Sequence, residues 1–136
     1  MAEQVIPADA ETALIRHLAA RMPIDVRGFR LGAPAHRQIQ VRKTGGTTVD
    51  PAVDMAQLTV HVWGESTDDE QPTERLASKA VVWLRLADRA GFLDYVPMRN
   101  LRVLSTPYAN PDPLTGRARY TFTIAVDLRG TPTNEE

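Results

Sequence analysis

From Tyr120 to Leu128 the chain alternates without a break. Tyr120, Phe122, Ile124, Val126 and Leu128 fall on one side of an extended backbone, and Thr121, Thr123, Ala125 and Asp127 fall on the other. Aromatic and β-branched residues at period two suit a pleated surface with one face in a core, so this stretch predicts a long, half-buried strand. Burying the five large side chains contributes on the order of 10 kcal/mol before conformational entropy is subtracted. The rest of a chain of 136 residues, one domain by length, must therefore supply a cover for that face.

Two segments have the pattern of such a cover. Ala10, Ala13, Leu14, His17, Leu18 and Met22 recur at helical spacing behind Asp9, which has N-cap chemistry, and Pro23 stops the run. This predicts a first helix from Ala10 to Met22, with His17 as a satisfied residue of its apolar face. A second helix is predicted from Pro72 to Ala90, closed by Gly91, with Leu76, Ala80, Trp83, Leu84 and Ala87 inward; Trp83 is read as core. The acidic run Ser66 to Gln71 suits the positive end of that helix.

The remaining extended stretches are shorter. Asp25 to Leu31 reads as an edge strand, Gln38 to Lys43 as a strand with Ile39 and Val41 inward, and Met55 to Gly64 as its partner with Leu58, Val60 and Val62 inward. Between the last two, Thr44 to Asp54 with Gly45-Gly46 reads as a long flexible loop, either a solvated hairpin tip or an arm that orders on a partner. His61 and Trp63 point away from Leu58, Val60 and Val62. Trp63 is then either partly open, as at an interface, or packed under a loop. Leu101 to Ser105 reads as a short strand, Thr106 to Gly116 as a second long irregular segment, and residues 1–8 and 131–136 as flexible ends. The fold class expected is α+β, a mixed, mostly antiparallel sheet with two main helices on one face.

Little chemistry emerges. The chain has no cysteine, which excludes disulfides and thiolate sites. His17, His36 and His61 share no metal-ligand spacing, and the three serines sit in no nucleophile elbow. Net charge is −1, without the basic footprint of a nucleic-acid binder, and no apolar run reaches the length of a membrane span. The start of the chain lacks the pattern of a secretory signal, so synthesis in the cytoplasm is expected. No catalytic, metal or cofactor site is predicted.

The order of elements, read with particular residues, resembles the tail terminator proteins of siphovirus-like bacteriophages, especially those infecting actinobacteria. The residues that carry the resemblance are the opening DAETALIRHLAARM, Val41 to Gly46, Leu58 to Gly64, the helix ASKAVVWLRLAD, Asn110 to Pro113, and Arg119-Tyr120. It spans roughly Asp9 to Gly130. The resemblance implies a structural virion protein, not an enzyme, that forms a hexameric ring at the head-proximal end of the tail. That ring would end polymerisation of the major tail tube protein and join the tail to connector or stopper proteins of the head. DNA would pass through the lumen without specific binding, with weak phosphate repulsion expected there. Contact with subunits or partners is expected at Arg42, Lys43, Thr44, Gly45, Gly46, Asp50, Asp54, His61, Trp63, Asp112, Arg117 and Arg119. Two alternatives are another neck component and a small-molecule-binding or catalytic domain using His61 and Asp127.

Overall fold

The computed structural model describes residues 4–133. In chain order the elements are β1 (Gln4–Ile6), α1 (Ala10–Ala19), β2 (Asp25–Gly28), β3 (Gln38–Asp50), β4 (Val53–Trp63), α2 (Glu70–Ala90), β5 (Phe92–Leu93), β6 (Val96–Ala109), β7 (Arg119–Arg129) and β8 (Thr131–Thr133). β2 to β7 make one sheet in the order β2-β3-β4-β7-β6-β5, antiparallel throughout except for the β2–β3 pair. The class is α+β, and both helices lie on one face of the sheet.

The core follows the period-two pattern. Leu58 pairs with Ile124, Val60 with Phe122 and with Val41, and Val62 with Tyr120 and with Ile39, so these side chains share one face. Ala13, Leu14 and Leu18 of α1 and Ala77, Ala80, Val81, Leu84 and Ala87 of α2 close over that face, and all are buried. Small alanines on α2 let its backbone approach the sheet, while the large side chains come from the strands.

The helices differ at their ends from the expected bounds. α1 stops at Ala19, because the N–H groups of Arg21 and Met22 both turn back to the Leu18 carbonyl, yet Met22 stays buried after the helix ends. Asp9 caps it as expected, accepting the Thr12 N–H at 3.1 Å. His17 is buried, and its Nδ1 accepts the Asp94 N–H at 2.8 Å. α2 begins at Glu70, ahead of Pro72, which its first turn tolerates. Trp83 is only half-buried and packs against the rim of the core.

Three expectations are corrected. Thr44 to Asp54 is not a flexible loop: β3 and β4 form a long hairpin whose turn is Pro51-Ala52, with Asp50 Oδ1 accepting the Ala52 N–H at 2.7 Å. Gly45-Gly46 has turn composition, but here it meets a different need. A Cβ on Gly46 would stand 2.5 Å from the Met55 carbonyl oxygen across the hairpin. β6 runs from Val96 to Ala109, well past the short strand and into the segment expected to be irregular. Pro107 is tolerated because beyond its first residues this strand has β7 on one side only, and Pro97 stands at the start of the strand, before its pairing with β7 begins at Met98. At the ends, Gln4–Ile6 pairs antiparallel with Thr131–Thr133, so these parts of the two expected flexible tails are ordered; residues 1–3 and 134–136 lie outside the described residues.

Candidate functional site

A half-open pocket of about 450 Å³ lies beside the connection from β2 to β3, lined by Asp25, Arg27, Arg30, His36 and Arg37 among others. The distinctive surfaces are the two long edges of the sheet and the face that the helices leave uncovered.

The first edge is the outer half of β3. β2 pairs only with Gln38 to Val41, so from Arg42 to Asp50 the strand is bonded to β4 on one side and exposed throughout. Arg42, Lys43, Thr44, Gly45, Gly46 and Asp50 all lie on this arm, and Asp54 lies just past its turn. The Arg42 guanidinium stacks 4.7 Å from the Phe29 ring centroid, and the Lys43 N–H donates to Glu11 Oε2 at 2.7 Å, which ties the base of the arm to α1. The second edge is β6. β5 covers only Val96 and Pro97, and from Arg99 to Ala109 no residue is fully buried, with Leu104 and Tyr108 among the exposed apolar side chains. Sequence reasoning missed this edge. The signal was present as two large apolar residues at outward positions of an alternating run, hidden by the prolines on either side.

On the uncovered face, the pairing register sets out rows of side chains. Arg42, Thr59, Thr123 and Ser105 form one row, and Gln40, His61, Thr121 and Tyr108 form the next. Hydroxyl contacts cross the rows: Thr44 to Thr59 at 3.3 Å, Thr59 to Thr123 at 3.4 Å, and His61 Nδ1 to Thr121 Oγ1 at 2.9 Å, with Asn110 Nδ2 donating to the same Thr121 oxygen at 3.2 Å. Burial, then the charges of Arg119 and Arg42, push His61 down to about 4, so the ring is neutral at physiological pH.

Trp63 is not open. It is 4 % exposed, with Arg119 at 4.9 Å and Arg117 at 5.4 Å from its ring centroid, and its Nε1 has no hydrogen-bond partner among the described residues. Of the two readings of Trp63 the packed one holds, because the connection from β6 to β7 folds over the ring. Arg117 holds that connection: Nε donates to the Gly64 carbonyl at 2.5 Å, one terminal nitrogen to the Pro34 carbonyl and the other to the His36 carbonyl at 3.0 Å. Arg119 Nε donates to the Asn110 carbonyl at 2.8 Å, and Asp112 accepts the Thr115 hydroxyl at 2.6 Å within the turn. Thus Trp63, Arg117 and Arg119 are brought together, but as a structural clasp, and Asp112 serves the same loop.

Behind the clasp, Arg37 donates to Asp69 Oδ2 at 2.5 Å, and that carboxylate also accepts the Glu65 N–H at 2.8 Å. Burial pushes the Asp69 carboxyl up, but these bonds and the charges of Arg37 and Arg117 outweigh it and hold the group below its ordinary value. Gly64 is required here, since a Cβ would lie 2.5 Å from Thr73 Oγ1 and 3.0 Å from Asp69 Oδ2. No group of three or more metal-binding side chains occurs among the described residues. No helix among them is long and apolar enough to cross a membrane.

No known protein-family model matches the chain, and no curated protein matches it.

Proposed function

We propose that this chain is a structural virion protein of the tail terminator kind, acting as a ring that ends tail tube growth and joins the tail to the head connector. The observation that carries the reading is that the four long strands leave both outer edges open and opposed. β3, β4, β7 and β6 alternate in direction, so β3 and β6 run in opposite senses at the two margins. When copies are related by rotation about an axis along the strands, β6 of one copy meets β3 of the next antiparallel, and the alternation continues across the boundary. Such a contact is heterologous and closes into a ring when the rotation closes. Strand pairing supplies affinity, and each interface needs at least about 1,000 Å².

The number six, the tube subunit, the connector or stopper and the location at the head-proximal end of the tail come from the sequence resemblance. The competing catalytic reading needs His61 and Asp127 to act together. Asp127 sits six positions along β7 from Thr121, the partner of His61, which separates them by roughly 20 Å. Asp127 is occupied by Asn100 Nδ2 at 3.2 Å, with Arg102 at 3.8 Å. Removing the gene tests the proposal: tails of uncontrolled length that fail to join heads are expected, and normal virions would reject it.

A further inference from the structure

Charge is distributed unequally between the two faces of the sheet. The uncovered face carries Arg42 of β3, Arg119 and Arg129 of β7, and Arg99 and Arg102 of β6, against Asp50 and Asp127 alone; β2 adds one charge of each sign, Arg27 and Asp25, which pair at 2.9 Å. This surplus of cations stands on a chain whose net charge is −1. Arg102 is partly neutralised by Asp127, and Arg119 is held by Asn110 and Trp63. Arg42, Arg99 and Arg129 are exposed and have no carboxylate partner among the described residues.

We infer that this face makes non-specific contacts to the phosphates of duplex DNA. The cations are spread from β3 to β6, three strand spacings or about 14 Å apart, rather than gathered around a pocket. That arrangement fits an extended polyanion with closely repeated charges, whereas a small anion would meet one guanidinium at a time. Thr59, Thr123 and His61 occupy the middle of the face with hydroxyl and ring-nitrogen groups, and the exposed aromatic rings of Phe29 and Tyr108 stand at its two margins rather than among them. Arginine is the side chain suited to phosphate, through its planar fork of donors. Sequence specificity is not expected, since phosphate contacts carry none. In a ring closed edge to edge with its helices outward this face lines the channel, where it reverses the expectation of weak repulsion. The inference itself requires only one chain.

Fluorescence anisotropy of the full-length protein with a labelled duplex of about 30 base pairs tests it across a salt series. Binding should weaken with salt, with log affinity against log salt falling at a slope of about −3, one ion for each unpaired arginine. The triple variant Arg42→Gln, Arg99→Gln, Arg129→Gln should lose at least about tenfold in affinity at low salt and most of that slope. A control on the helical side, Arg75→Gln with Lys79→Gln and Arg85→Gln, should bind as the parent does. Matching thermal melts establish that each variant is folded. Absence of duplex binding by the parent at low salt would overturn the inference, as would equal loss in the control. So would a preference for phosphatidylserine vesicles over the duplex. A chain that forms rings but ignores the duplex fails this inference and leaves the proposed function standing; a chain that binds the duplex but never assembles does the reverse.

Discussion

Arg117 shows how one side chain can hold three segments that are distant in sequence. Its guanidinium reaches the carbonyls of Pro34, His36 and Gly64 while covering Trp63. Arg117→Lys keeps the charge, but one ammonium cannot satisfy three carbonyls in that fixed fork. A loss of about 1–3 kcal/mol is expected in urea unfolding, together with a red shift of tryptophan emission as Trp63 opens. An unchanged midpoint and spectrum would remove the clasp from the account. His61 makes a prediction about pH. Its ordinary value is 6.5 and the folded value is about 4, so between these the unfolded chain binds a proton that the folded chain refuses. Its contribution to stability is present in full above about 6.5 and is lost as pH falls toward 4. His17 is also lowered, chiefly by burial and then by Arg21, and acts in the same direction. In His61→Gln the fall in stability between pH 6.5 and 4 should therefore become shallower without vanishing, as chemical denaturation at a series of pH values would show.

At the scale of elements, the open length of β6 is the feature with a consequence for assembly. Leu104 is exposed on it, so Leu104→Lys should change the stability of the single chain by no more than about 0.5 kcal/mol. The same charge on an edge strand opposes pairing, and sedimentation should then find no assembled species where the parent forms them. Persistence of assembly would place the contact elsewhere. The elements also differ in how legible they were from sequence. β7, the central part of β4 and both helices were readable because each buries one face against a partner, and burial imposes a period. The outer half of β3 buries neither face, so no period marks it, and β6 only half-buries Leu101 and Val103, which leaves its alternation weak; pairing with β4 and β7 holds both extended. Gly46 and Pro107 then pointed the wrong way, one selected for a close crossing and the other permitted by an edge. The same physics left Trp63 undecided between an open and a covered ring: its cover comes from Arg117 and Arg119, far along the chain, and no local pattern announces that.

For the whole molecule, one side is closed by two helices, while the sheet ends in two solvated margins of opposite direction. Natural sheets usually blunt or cover such margins. Here β2 and β5 cover only a few residues of each, and the long remainders match one another in sense. The central claim is that successive copies join β3 to β6. The chain contains no cysteine, so a single thiol can be placed at the same height on each margin, Thr44→Cys on β3 and Thr106→Cys on β6, beside the row of Thr59, Thr123 and Ser105, and tested with a short bismaleimide on concentrated protein. The account predicts a ladder of covalent oligomers ending at six when both thiols are present, and no cross-link from either thiol alone. No ladder, or a covalent dimer from one thiol alone, would contradict it.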